Sequence, residues 1–264
     1  MTERTEAPRA GSATPANGLQ GWFSTVAGAA VAAAEAQLAA TALSDLFGYH
    51  LVQLGRPHEA SLLAGSRISH HITLGGNPAE PGLSVYARND ALPLQAATVD
   101  VLVLPHGLEF ADDPHGVLRE AERVLIPEGY LLVFAFNPWS LFGLWRLFSR
   151  WQGEYPWRGR FVRPARLKDW LAVLGFEVVN AGGLSFRPPL RDPGWFARLA
   201  WMERPAAYFL PRLGNVYWIL ARKRVPAARP IRALRARRRR LRAAVAESPL
   251  GQRRNEIKDP DDGR

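Results

Sequence analysis

His106 is a candidate proton acceptor. It directly follows the apolar run Val101, Leu102, Val103, Leu104 and then Pro105, and an imidazole there can take a proton from a substrate hydroxyl near neutral pH. A loop histidine without chemistry is the alternative for the same residue. Gly55 closes the run His50, Leu51, Val52, Gln53, Leu54. A glycine at that place supplies positive φ and lets the backbone approach a ligand, and the Gln53 amide can hydrogen-bond one; a plain turn is the alternative. Asp90, with Asn89 beside it, stands just ahead of Leu92 and Pro93, either as a ligand contact or as an Asx turn. Glu109 and Asp112 read as solvated loop and cap-region acids. With no cysteine in the sequence, disulfides and thiolate metal sites are excluded. The adjacent pair His70 and His71 points to opposite faces of a strand, so no metal site is expected. There is no Gly-Xaa-Ser-Xaa-Gly elbow, Gly-Lys-Ser/Thr phosphate loop or His-Glu-Xaa-Xaa-His motif, which leaves other common enzyme classes without support.

Residues 92–136 supply the elements that hold the last of these candidates. The uninterrupted apolar run at 101–104 suits a parallel strand buried on both faces. Asp113 stands at an N-cap and Pro114 at the first helical position, and Val117, Leu118, Ala121, Val124 and Leu125 recur at helical spacing, predicting a helix over about 114–125. Pro127, Glu128 and Gly129 end it, and 130–136 forms a second apolar strand, completing a right-handed βαβ unit. Upstream, 50–54, a core at 72–74 and 83–87 read as three further strands. Open α/β sheets bind ligands outside the carboxyl ends of their strands at a topological switch point. That rule gathers Gly55, the 89–92 loop and the 105–108 loop around one crevice.

In its order of Leu-Pro, strand, loop with Asp-Pro, helix ending Arg123-Val124-Leu125, Pro-Xaa-Gly and strand, residues 92–136 resemble the second half of a class I S-adenosylmethionine-dependent methyltransferase. The likeness runs in order over about 35–224, with Leu174-Gly175-Phe176-Glu177-Val178 similar to the family's later helix stop and strand. It implies an α/β, Rossmann-like methyltransferase fold: a seven-stranded, mostly parallel sheet with helices on both faces. It also implies S-adenosyl-L-methionine as cofactor, held by Gln53, Gly55, Asn89, Asp90, Leu92 and His106, with His106 as the one weak catalytic candidate. The first loop departs from the family. Where the family has Gly-Xaa-Gly-Xaa-Gly after an acidic strand end, this chain has Gln53-Leu54-Gly55-Arg56-Pro57-His58, and Pro57 fixes φ and removes a donor. The family's acid after the second strand is replaced by Gly75-Gly76. Two functions follow: a methyltransferase acting on a small or apolar acceptor, or a methyltransferase-fold binding protein without catalysis. Methyl transfer needs few reacting side chains, because the sulfonium already carries an activated methyl group.

A chain of 264 residues that is 47% apolar suits one such domain with appendages. Residues 1–20 read as a disordered leader, 21–224 as the methyltransferase-like domain and 225–264 as a basic, largely disordered tail. Within the domain, 137–163 and 183–214 are expected to be cover segments. The first of them carries Trp139, Phe142, Trp145 and Phe148 every third residue: a lid over an apolar acceptor, a core helix or a membrane-surface helix. The alanine-rich run at 26–34 is broken by Glu35 and reads as helix rather than signal peptide. No stretch long and apolar enough to span a bilayer is expected, and the expected address is cytoplasmic. Eleven basic residues and no acid lie between Arg222 and Arg242, against +10 for the chain. Such a run can contact nucleic acid or an anionic membrane, or remain a solvated tail.

Overall fold

The computed structural model of the chain describes residues 15–76, 82–149, 156–190 and 192–224. Two helices come first, α1 (Pro15–Phe23) and α2 (Val26–Ser44). Thr25 caps α2, its hydroxyl accepting from the Gly28 N–H at 3.2 Å and so satisfying one orphan donor of the first turn. Strands β1 (His50–Leu54), β2 (His70–Gly75), β3 (Val85–Tyr86) and β4 (Val99–Pro105) follow, then α3 (Pro114–Val124) and β5 (Leu125–Phe136). The remaining elements are α4 (Leu141–Ser149), α5 (Pro164–Val173), β6 (Phe176–Leu184), α6 (Pro193–Arg198), α7 (Glu203–Phe209) and β7 (Val216–Lys223). Short 3-10 turns, Leu199–Met202 and Pro211–Leu213, flank α7.

The seven strands form one sheet in the order β3-β2-β1-β4-β5-β7-β6. β7 runs antiparallel to both its neighbours and every other pairing is parallel, as the sequence leads one to expect. Side chains alternate across the sheet because successive Cβ atoms point to opposite faces. Leu51, Val101, Val103, Leu132 and Phe134 pack with Val31, Ala39 and Leu43 of α2. Val52, Leu102, Leu104, Leu131 and Val133 pack with Leu118 and Ala121 of α3 and Leu167 and Leu171 of α5. The sheet is thus covered by helices on both faces, which explains the unbroken apolar runs of its central strands. From β1 the chain steps outward to β2 and β3, then returns to β4 on the other side. The switch point lies between β1 and β4.

Several expectations are corrected. The leader was expected to extend to residue 20, yet helix begins at Pro15. Leu19, Trp22 and Phe23 are buried, and the Trp22 ring meets those of Phe136 and Phe142 at 5.5 and 5.7 Å. Three apolar residues at helical spacing outweigh the polar composition around them. Residues 1–14 and the basic tail at 225–264 lie outside the described residues. α2 is, contrary to expectation, long and apolar enough to cross a membrane, with 19 residues and a mean hydropathy of 1.4 over its best window. Here it packs on the sheet and buries Glu35 completely. The 127–129 turn lies inside β5, where the register jumps from Val99↔Leu125 to Val101↔Tyr130 and Glu128 takes φ 66°. The apolar stripe after β5 splits: Phe142 is buried, whereas Trp139, Leu144 and Trp145 are exposed.

Candidate cofactor cleft

A cavity of about 370 Å³ opens at the switch point, at the carboxyl ends of β1 and β4. Gly55, Arg56, Asn89, Asp90 and His106 line it, joined by Leu19 from α1. The structure therefore brings four of the sequence candidates, Gly55, Asn89, Asp90 and His106, to one place. Gly55 has φ 82°, and a Cβ added there would meet no heavy atom within 4 Å. Its conformation, not crowding, requires glycine, and its open side leaves backbone accessible. Its N–H donates to the Leu74 carbonyl at 2.6 Å, tying the turn to β2.

Two candidates sit elsewhere, each for a physical reason. Gln53 is buried and turned back on the loop, its Nε2 donating to the Gly55 carbonyl at 2.8 Å; it braces the turn and does not line the cavity. The Leu92 side chain belongs to the core beside α3 and its N–H donates to Glu120 Oε2 at 3.0 Å, so that N–H is already used. Asp90 is gripped by Arg88 through two hydrogen bonds of 2.9 and 2.7 Å, which hold its carboxyl below the usual range. The side-chain oxygen of Asn89 is shielded from solvent without a hydrogen-bond partner. A buried orphan acceptor at a cavity wall is costly unless a ligand donor satisfies it.

Behind the cavity lies a buried cluster of four ionisable side chains. Glu35 of α2 places Oε1 2.8 Å from His106 Nε2 and Oε2 3.0 Å from His58 Nε2. Glu109 places Oε1 3.1 Å from His106 Nδ1, and the same oxygen accepts the Phe136 N–H at 2.8 Å. All four residues are buried. Both ring nitrogens of His106 face carboxylate oxygens, and only the imidazolium can donate twice. Burial alone would lower the His106 pKa, but the Glu35 charge and the hydrogen bonds to Glu109 and Glu35 push it up to about 10. Burial would likewise raise Glu35, but the His106 charge and hydrogen bonds from His106 and His58 bring it to about 2. With both nitrogens turned to carboxylates, His106 is placed as a doubly donating ring with no lone pair turned to the cavity, an arrangement that differs from the proton acceptor expected from the sequence. His106 also takes φ 51°, unusual outside glycine, and its N–H donates to the Phe134 carbonyl at 2.9 Å. Strain of this kind persists only where the surroundings over-determine it.

Sequence reasoning missed this cluster. In the sequence Glu35 interrupts an alanine run and Glu109 reads as a solvated loop acid, whereas both are buried. A lone acid on the apolar stripe of α2 was the available signal, because a buried carboxylate needs a partner. The histidines that meet on the strands are His50 and His70, across β1 and β2 at 2.8 Å, not the adjacent His70 and His71. Among the described residues no group of histidines and acids could hold a metal ion.

A Rossmann-like sheet with an antiparallel seventh strand and a cleft at the β1–β4 switch point defines a methyltransferase-type fold. Residues 76–133 match the family described as a methyltransferase domain. The match begins after the Gly55 turn. The uncharacterized protein YafS of Escherichia coli (strain K12) is 32% identical over 183 residues, covering 69% of this chain and 71% of that protein. A solved S-adenosylmethionine-dependent methyltransferase of Thermotoga maritima, described as a possible histamine N-methyltransferase, superposes with TM-score 0.58 at 19% identity, covering 79% of this chain and 96% of that one. Another, from Archaeoglobus fulgidus, gives TM-score 0.51 at 16% identity over 72% of this chain and 92% of that one. The chain belongs to one family with YafS, and it carries the methyltransferase-domain pattern over 76–133 on the fold of the class I S-adenosylmethionine-dependent methyltransferases, whose cofactor is S-adenosyl-L-methionine.

Proposed function

We propose that the protein transfers a methyl group from S-adenosyl-L-methionine to a small or apolar acceptor. The observation that carries this is the cleft itself: a positive-φ glycine turn and an Asn89–Asp90 loop face one cavity at the switch point, with the Asn89 oxygen unpartnered. These features fit the group. Asn89 and Asp90 would hold the adenine end, Gly55 would let the backbone pass close to the nucleoside, and Arg56 would offer a guanidinium to the methionine carboxylate. The cofactor, when bound, supplies an electrophilic methyl on sulfur. The chain's part is to orient the acceptor against it and to exclude water. His106 contributes a fixed buried positive charge and a clamped loop rather than proton transfer.

Binding without catalysis is the second reading, favoured by one observation: Arg56 and Pro57 occupy the place of the glycine-rich loop. Calorimetric titration with S-adenosylmethionine and S-adenosylhomocysteine separates the two at the cofactor step. Saturable binding, reduced by Gly55→Val, supports the methyltransferase reading. Absence of binding at millimolar cofactor overturns it.

A further inference from the structure

The segment joining β6 to β7 presents aromatic rings to solvent. Trp195, Trp201, Tyr208 and Phe209 are 59%, 71%, 80% and 74% exposed, and Leu210 and Leu213 are exposed beside them. The rings are held out by anchors beneath them. Phe196 is buried under the Arg187 guanidinium, 4.2 Å from its ring centre. Arg187 pairs with Glu203 at 2.9 Å, and the other Glu203 oxygen accepts the Phe186 N–H at 3.0 Å. Asp192 caps α6 by accepting the Trp195 N–H at 2.8 Å. A segment fixed this way displays large apolar groups at a standing cost in water, which marks an interaction surface.

Its chemistry selects the partner. Arg198, Arg204 and Arg212 are exposed among the rings, and the Arg198 guanidinium lies 5.1 Å from the Trp195 ring centre. Of the two acids, Glu203 is taken by Arg187 and Asp192 by the α6 cap. Arg222, Lys223 and Arg224 are paired with Glu128, Glu122 and Glu177 at the far end of β7, and beyond them the sequence adds eight basic residues and no acid from Arg229 to Arg242. Tryptophan and tyrosine favour the water–lipid boundary, where the ring body is apolar and the polar tip stays wet. Shallow apolar insertion combined with basic residues is the two-signal arrangement that holds peripheral proteins on anionic bilayers. β6 ends at Leu184 and β5 at Phe136, both level with Val216 at the start of β7. The segment therefore lies along the sheet edge on which the cofactor cleft opens.

We propose that residues 192–213 form a docking surface for an anionic lipid bilayer. The inference stands apart from the methyl-transfer reading, because it needs neither cofactor nor catalysis. The test is sedimentation of the full chain with vesicles of phosphatidylcholine alone and of phosphatidylcholine mixed with phosphatidylglycerol, without cofactor. Trp201→Ser combined with Phe209→Ser removes two exposed rings, and unchanged thermal unfolding verifies that the variant folds. The wild type is expected to bind the anionic vesicles and the variant to bind them at least about tenfold more weakly, since two apolar insertions are lost. Equal binding of variant and wild type overturns the proposal. So does absence of wild-type binding to anionic vesicles, burial of the rings in a dimer without lipid, or RNA binding that the same substitutions abolish in place of vesicle binding.

Discussion

The two walls of the cleft are built differently. The far wall, from Asn89 to Asp113, follows the family pattern: a parallel strand, a loop, an Asx residue at the cavity and a proline-started helix. The near wall has lost that pattern. One glycine remains of the family's loop, Gln53 has turned inward to brace it, and α1 sends Leu19 to the cavity. Between the walls runs the buried cluster, with Glu35 and His58 on the near side and His106 and Glu109 on the far side. Where the family's glycine-rich loop is missing, a long-range buried cluster ties the two walls. The tie is costly to break, because a buried charge that loses its partner cannot be rehydrated.

The largest expected effect comes from cutting that tie. Glu35→Ala leaves the His106 charge with one carboxylate instead of two and His58 with none, and should destabilise the protein by about 3–5 kcal/mol, read from urea unfolding. A loss under about 1 kcal/mol would mean that the walls stand independently. pH tests the same tie without mutation. Glu35 has its pKa depressed from 4.5 to about 2, so its contribution is whole above pH 4.5 and fades as pH falls toward 2. His106 has its pKa raised from 6.5 to about 10, so its contribution is whole below pH 6.5 and fades as pH rises toward 10. The two describe one interaction and do not add. The urea midpoint should therefore decline on both sides of the range between 4.5 and 6.5, and Glu35→Ala should flatten both limbs.

Next comes the near wall alone. Gly55→Val places a β-branched residue at φ 82° and should cost about 1–2 kcal/mol of stability. Cofactor affinity should fall at least tenfold by calorimetry as the side chain enters the cavity. The smallest effect belongs to the far wall. Asn89→Ala removes a single acceptor, which should weaken cofactor binding by about 1 kcal/mol, or several-fold, with little change in melting temperature. If Asn89→Ala proved more damaging than Gly55→Val, the cofactor would depend on the far wall and the altered turn would be incidental.

Much of this was legible along the chain. The apolar runs at β1 and β4, the Asp113-Pro114 helix start and the spacing of Val117, Leu118 and Ala121 are local signals with a fixed period. They led directly to the sheet and to the far wall. Gly55 and the Asn89–Asp90 loop were likewise visible, because turns are written in residue type. Leu92 and Gln53 were misplaced for a related reason. Residue type indicates what each can bond, but Leu92 meets Glu120 across 28 positions, and the Gln53 side chain chose its own turn over the cavity.

By itself the sequence determined the fold class, through the family pattern, and which loops gather at the switch point, since these depend on short-range periodicity and chain connectivity. The tertiary structure decided the surroundings of His106. Whether an imidazole is a base or a fixed cation depends on the charges that share its dry surroundings, and its main partner, Glu35, lies 71 residues earlier in an alanine-rich helix. Spacing along the chain carries no record of that meeting.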